Sequence, residues 1–179
     1  MHDWNVIATV RERRRRDARE LLRRFGFVDR TQYPNVLVMN VPDIHAFLES
    51  LQGWLTAHPA AAEVLGHVAP FSEAFSFQSP EEFEAKSREL VLKFVPSLTG
   101  RQFHVRMHRR GFKGRLHTID EEQLLGRELL NALEKAGTPG KVSYDDPDAI
   151  VSVETVDNRA GLACWSREEL QRYPCLHPE

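Results

Sequence analysis

The sequence predicts an α/β protein made of two units. Short β-branched runs alternate with amphipathic helical segments along the whole chain. The sequence Ser-Pro-Glu-Glu at residues 79–82 combines an N-cap serine, a proline at the first helical position and a glutamate at the third, which marks a new helix and a new unit. A chain of 179 residues is long enough for two small domains. We therefore divide it into residues 1–78 and 79–179.

Composition narrows the class of protein. The chain is 41% hydrophobic and 28% charged with a formal net charge of -2, as in ordinary globular proteins. It has no apolar run of the ~20 residues that a membrane span needs, and its first residues lack the layout of a signal peptide. Cys164, Cys175 and His177 lack a fourth ligand for zinc, so we interpret both cysteines as structural thiols. We expect a cytoplasmic protein with no membrane partner.

The first unit opens with a strand over residues 4–10 and an arginine-rich helix over residues 11–24, for which Gly26 is the predicted C-terminal cap. This helix contains eight arginines and three acids. The arginines either form a solvated face, partly neutralised by those acids, or contact RNA through side chains such as Arg13 and Arg16. Both interpretations stay open at this point.

The rest of the first unit continues the alternation. Residues 36–41 form a predicted strand, and Asp43 opens a helix that ends at His58 and Pro59. Residues 67–77 are predicted to be extended, with Pro70 at an edge or a bulge. The predicted order is β-α-β-α-β.

The second unit begins with a helix from Ser79 to Pro96. Thr118 and Glu121 have the spacing of a capping box, which predicts a second helix over about residues 120–136. Three strands follow at residues 141–144, 150–156 and 161–165, and residues 166–173 form a short closing helix or turn.

Residues 101–117 carry six Lys or Arg, three His and no acid, which indicates an anionic partner. The first half alternates with period two, so Phe103, Val105 and Met107 are expected to face the core. His104, Arg106, His108 and Arg110 are then expected to face a ligand. The following RGFKG, with two glycines, is typical of a loop whose backbone approaches a phosphate closely. A helix N-terminus beside this loop also favours anions.

RNA is the anion that these residue types suit, because Arg and Lys neutralise phosphates and aromatic rings stack on bases. Phe112 either stacks on a base or packs on the helix that follows it. The predicted RNA-binding residues are Arg101, Arg106, Arg109, Arg110, Phe112, Lys113 and Arg115, together with Arg13 and Arg16 of the first unit.

Three segments resemble the THUMP domain: FHVRMHRRGFKG at residues 103–114, IDEEQLLGREL at 119–129 and DDPDAIVSVE at 145–154. The resemblance implies an α/β module that binds tRNA, usually preceded by a small ferredoxin-like domain. Residues 1–78 are similar to that partner only in the order of their elements. In stand-alone members of the family, the implied role is an adaptor that presents the acceptor region of tRNA to a separate enzyme, such as a tRNA cytidine acetyltransferase.

The sequence contains no G-x-G-x-x-G, Walker-type loop or nucleophile motif, so we predict no catalysis, no cofactor and no small-molecule substrate. One alternative is a small RNA-modifying enzyme that uses His104, His108 or the carboxylates of Asp145, Asp146 and Asp148. Metal binding by these residues is disfavoured, because the histidines lie among cations and the aspartates are explained by turn chemistry. A second alternative is a protein-interaction module that uses the arginine-rich helix.

Overall fold

The structure, a computed structural model, describes residues 3–177. Within them the chain forms two compact units, residues 3–72 with 170–177 and residues 73–169. Each unit contains one β-sheet and packed helices, so the predicted α/β class is confirmed. None of the described helices combines the length and apolar character that a membrane span requires.

The first unit has four antiparallel strands in the order β2-β3-β1-β4. The strands are β1 (Val6–Val10), β2 (Phe27–Arg30), β3 (Val36–Asn40) and β4 (Leu65–Pro70). The helices are α1 (Arg15–Leu22) and α2 (Ile44–Ala57), and a 3-10 turn at Pro59–Val64 precedes β4. The resulting β-α-β-β-α-β order is that of the split β-α-β arrangement seen in ferredoxin-like units.

Two features of this unit differ from the predicted ones. The helix is shorter than residues 11–24, because Arg13 has a left-handed φ of 63° and the chain turns before α1 begins. The prediction also lacked β2, which is only four residues long. Gly26 does not cap α1; a Cβ there would lie 2.5 Å from the carbonyl oxygen of Asn40, so glycine allows β3 to approach closely.

The segment predicted to be extended over residues 67–77 contributes to both sheets. Its first part is the end of β4, and residues 73–76 form β5 (Glu73–Ser76) of the second sheet. At the other end of the chain, Arg172 forms an ion pair with Glu49 at 2.6 Å and the Nδ1 atom of His67 lies 3.1 Å from the carbonyl oxygen of His177. The first unit therefore ends at residue 72 and also includes residues 170–177, whereas the predicted division was 1–78 and 79–179.

The second unit has five strands in the order β5-β9-β8-β6-β7. After β5, the strands are β6 (Gln102–His108), β7 (Lys141–Val142), β8 (Ala149–Val156) and β9 (Arg159–Ser166). The helices are α3 (Pro80–Val91) and α4 (Thr118–Lys135), and α5 (Arg167–Arg172) begins in this unit and continues into the C-terminal residues assigned to the first. Strand β6 runs parallel to β7 and β8, and α4 connects β6 to β7.

The helix start at Ser79 has the predicted geometry. The Ser79 hydroxyl accepts a hydrogen bond from the backbone N–H of Glu82 at 3.1 Å, and the Glu82 carboxylate accepts one from the N–H of Gln78 at 2.9 Å. Pro80 occupies the first helical position. This N-cap fixes the start of α3, which packs against α4 and β9.

The capping box predicted at Thr118 is wrong. Helix α4 begins at Thr118 itself, after His117, and no side chain caps its first turn. Glu121 instead points inward and is 4% exposed. The pKa of Glu121 is raised to about 8, mainly by burial. A hydrogen bond to Glu84, the negative charge of Glu84 and the charge of Asp120 raise it further.

This pKa predicts a fall in stability at alkaline pH. In the unfolded chain Glu121 titrates near its ordinary 4.5, so the folded state binds the extra proton between about pH 4.5 and 8. The stabilising contribution is complete below 4.5 and is lost as pH rises through 8. We expect the melting temperature of the native protein to fall between pH 6 and 9, and that of Glu121→Gln to fall much less. Thermal unfolding at four pH values measures this, with the exposed Glu134→Gln as the control; equal pH dependence in all three proteins would contradict it.

Candidate nucleic-acid interface

The core-facing side of β6 is as predicted, but the side predicted to face a ligand is only partly exposed. Phe103, Val105 and Met107 are buried in the core of the second unit. On the other face Arg106 is exposed, but His104 is 8% exposed. Its Nδ1 lies 3.0 Å from the carbonyl oxygen of Ser143, and its ring lies 5.2 Å from that of Tyr144. Within this face, the ligand-accessible cation is therefore Arg106, and His104 is part of the packing.

The loop after β6 has a backbone that depends on glycine. Gly111 and Gly114 have φ values of 95° and 77°, and Phe112 between them has 53°. A Cβ on Gly111 would come within 2.9 Å of the Cα atom of Asp157, in the turn between β8 and β9. The loop is therefore held against that turn at Gly111, while Lys113 and Gly114 are exposed at its tip.

Phe112 packs inward from this loop. Its ring centroid is 5.0 Å from that of Phe77, and the side chain contacts the core of the unit. The guanidinium of Arg115 lies over the same ring at 4.8 Å. Phe112 thus anchors the loop tip and supports Arg115, and base stacking by Phe112 stays a prediction.

Arg110 is oriented toward the protein interior. Its side chain is 14% exposed, and one guanidinium nitrogen is 3.8 Å from the carboxylate of Glu154, which is 2% exposed. The Nδ1 atom of His108 is 3.4 Å from the same carboxylate. The backbone of Arg110 is also fixed, by hydrogen bonds with Thr155 and Asp157. Arg110 therefore balances a buried charge in addition to any contact with RNA.

We expect Arg110→Ala to lower the free energy of unfolding by on the order of 2 kcal/mol, because it leaves the Glu154 carboxylate with less compensation. This is below the ~3–5 kcal/mol for breaking a fully buried pair, since His108 stays beside Glu154. Denaturant unfolding measures the change. Arg106→Ala on the exposed side of β6 is the control and should stay within about 0.5 kcal/mol of the native protein. An Arg110→Ala protein as stable as the control would contradict the structural role.

The remaining predicted cations of this segment lie at the two ends of β6. Arg106, Lys113 and Arg115 are exposed on the second half of β6 and its loop, and Arg109 is half-buried with its guanidinium bonded to the carbonyl oxygen of Gly111. Arg101 is also exposed but precedes β6. The seven residues of β6 put roughly 20 Å between Arg101 and the loop. We define the basic loop surface as the exposed cations Arg106, Lys113 and Arg115, which follow one another along the second half of β6 and its loop; Arg101 is outside it.

The residues considered for catalysis are bound to other parts of the protein. Arg167 forms ion pairs with Asp146 at 3.0 Å and with Asp148 at 3.4 Å, and Asp148 also accepts the N–H of Gln102 at 2.8 Å. These contacts fix the turn before β8. Over residues 3–177, no three His, Cys, Asp or Glu side chains are grouped as metal ligands.

In the first unit, the two arginines predicted to contact RNA lie in different elements. Arg13 is in the turn before α1, whereas Arg16 is on α1 with its side chain 91% exposed. Arg16 and Arg30 line one cleft, whose other arginines come from α1 and its C-cap, Arg23. Sequence reasoning missed Arg30 because it did not predict β2.

No protein-family model matches the sequence, and no functionally curated protein matches it either. Solved structures do share its fold. PH1313 from Pyrococcus horikoshii aligns over 89% of this chain and 53% of its own, with a TM-score of 0.64 and 10% identity. TrmN from Thermus thermophilus aligns over 89% of this chain and 44% of its own, with a TM-score of 0.61 and 16% identity.

A third structure is a 4-thiouridine synthetase solved as an RNA complex with bound ATP. It aligns over 92% of this chain and 42% of its own, with a TM-score of 0.52 and 17% identity. The chain therefore spans about half the length of these proteins or less. At such low identity the likeness concerns the fold alone.

Proposed function

We propose that this chain is a THUMP-type tRNA-binding protein that acts in the cytoplasm as an adaptor, holding the acceptor region of tRNA for a separate RNA-modifying enzyme. The observation that carries the proposal is the basic loop surface. Arg106 is exposed on β6, Lys113 and Arg115 are exposed in the glycine-containing loop that follows it, and none of the three forms an ion pair with an acid within residues 3–177.

The mode of binding follows from the residue types. Long cations on a loop neutralise phosphates, and double-stranded RNA presents its phosphates and 2′-hydroxyls while its deep groove hides the base edges. Contacts of this kind recognise the shape of a duplex more than its sequence. The proposal is supported by the fold shared with a synthetase that was solved with RNA.

The adaptor role rests on how the chemically capable side chains are used. His104 is buried in packing, and Asp146 and Asp148 hold a turn through Arg167. In this proposal the chemistry is performed by a partner enzyme, for which a cytidine acetyltransferase is the candidate that the family resemblance implies.

We expect the chain to bind tRNA with an affinity that falls steeply with salt. If about four to six phosphates are contacted, log K should fall against log salt with a slope of about -3 to -5, at ~0.7–0.9 per contact. Filter binding or fluorescence anisotropy at several salt concentrations measures this slope. A salt-independent affinity, or no binding at low salt, would refute phosphate recognition.

Nucleoside mass spectrometry of tRNA incubated with the purified protein separates the adaptor from an enzyme. The proposal expects unchanged nucleosides with the chain alone, and more modification when the chain is added to the partner enzyme. A modified nucleoside formed by the chain and a small-molecule donor, without another protein, would replace the adaptor role with catalysis.

A further inference from the structure

A cleft in the first unit is lined almost entirely by arginine. It has a volume of about 460 Å³ and lies between α1 and β2. Its lining residues are Arg15, Arg16, Arg19, Glu20, Arg23 and Arg30. Five cations and one acid therefore surround a space large enough for a ligand. We call these six residues the arginine cleft.

The cations of the arginine cleft are poorly neutralised by the protein. Its one acid, Glu20, is 3.4 Å from Arg16. The guanidinium groups of Arg19, Arg23 and Arg30 form no ion pair with a carboxylate within 4 Å among residues 3–177. The Nε atoms of Arg15 and Arg19 are buried and make no hydrogen bond inside the described part of the chain. The exposed guanidinium groups of Arg23 and Arg30, which form no ion pair, are available to a ligand.

The spacing of these arginines also opposes helix stability. Arg15, Arg19 and Arg23 are four residues apart, so they form one row along α1 and its end, and like charges at this spacing destabilise a helix. Arg15 partly offsets this by donating to the carbonyl oxygen of Thr31 at 2.9 Å. A helix face that only contacts solvent does not need several positive charges around one cleft. A site that binds an anionic ligand does need them.

We infer that the arginine cleft binds clustered phosphate groups of RNA, as a second contact surface in addition to the basic loop surface; this rests on the proposed function. Guanidinium groups match phosphate oxygens with paired hydrogen bonds, and several around one cleft suit more than one phosphate charge. The phosphates come either from adjacent positions of the backbone or from a terminal phosphate of the strand.

The test replaces Arg16, Arg23 and Arg30 with Gln in the full chain. All three side chains are exposed, so the fold should be retained. At about 0.1 M salt, tRNA affinity should fall by about two orders of magnitude and the salt slope should flatten by roughly 2, as expected for three lost phosphate contacts. The matched control replaces the exposed Arg11, Arg14 and Arg24, which lie outside the cleft and are not among the predicted RNA-binding residues. It removes the same charge and should weaken binding only a few-fold.

Dephosphorylated tRNA distinguishes the two phosphate sources. If removal of the 5′-phosphate weakens the native protein but not the cleft variant, the cleft holds a terminal phosphate. If it weakens neither while the cleft variant remains impaired, the cleft holds backbone phosphates. A cleft variant that binds tRNA like the native protein, or no worse than the control variant, overturns the inference and leaves the proposed function standing.

Inorganic pyrophosphate tests the cleft independently of tRNA. We expect millimolar pyrophosphate to raise the melting temperature of the native protein and of the control variant, but not that of the cleft variant. If tRNA does not bind the native protein while this difference persists, the proposed function fails and the arginine cleft stands as a polyphosphate site. No rise in the native protein, together with stabilisation by polyglutamate, would assign the cleft to an acidic protein and refute the inference.

Discussion

Replacing Phe103 with Ala should lower the free energy of unfolding by about 3 to 5 kcal/mol, the usual cost of truncating a fully buried phenylalanine. Phe103 is 0% exposed and pairs with Ala149 of β8 on one side and Val142 of β7 on the other. Its ring packs against the backbone of Gly140, where an added Cβ would lie 3.3 Å away, so truncation to Ala leaves a cavity beside that backbone.

Denaturant unfolding measures the loss, and tRNA binding at a temperature where the variant is folded separates stability from recognition. Because Phe103 faces the core, the folded fraction should bind tRNA as the native protein does. Arg106→Ala on the opposite face of the same strand is the control, with normal stability and weaker binding. A Phe103→Ala protein that unfolds within 1 kcal/mol of the native protein would show that the core of the second unit relaxes around the gap.

Local sequence signals predicted the parts of this fold that local interactions determine. The start of α3 is fixed by Ser79, Pro80 and Glu82, which lie within four residues of one another, and the structure has that cap. The buried face of β6 was predicted correctly because the period of two is a property of the strand itself. A short edge strand such as β2, with Phe27 and Arg30 exposed, gives no comparable signal.

The candidate site was harder to predict, because its residues are selected by distant partners. Alternation placed His104 and Arg110 on the ligand side, but Tyr144 packs beside His104 and the buried Glu154 balances Arg110. Those partners lie about 40 residues further along the chain and reach β6 only through its pairing with β7 and β8. Burial on the second face of a sheet therefore depends on which strands pair with it. The alternation of residues within one strand does not carry that information.

Glu121 shows the same limit in a helix. Its position three residues after Thr118 matched a capping box, but the carboxyl group is buried beside Glu84 of α3. A spacing rule cannot distinguish a glutamate that reaches back to its own helix end from one that packs against a neighbouring helix. The choice is made by the packing of α3 on α4, and it converts a predicted cap into a carboxyl group with a raised pKa.

Removing the basic loop surface should abolish most tRNA binding without unfolding the protein. Arg106, Lys113 and Arg115 are all exposed, so their combined replacement by Ala should cost no more than about 1 kcal/mol, including the loss of the contact between Arg115 and Phe112. Three lost phosphate contacts should weaken binding by about two orders of magnitude at 0.1 M salt and flatten the salt slope by roughly 2 to 3. Arg110 is left in place because of its buried partner.

The matched control for this variant removes three exposed cations from other parts of the same unit, Arg88, Lys93 and Lys135. Net charge changes equally in the two variants, so a purely long-range electrostatic effect would weaken both to the same extent. A specific interface predicts a large loss only in the loop variant, whose melting temperature should match that of the control. If the loop variant melts normally and binds tRNA as tightly as the control, the basic loop surface is not the interface. The arginine cleft would then be the surface that must account for tRNA binding.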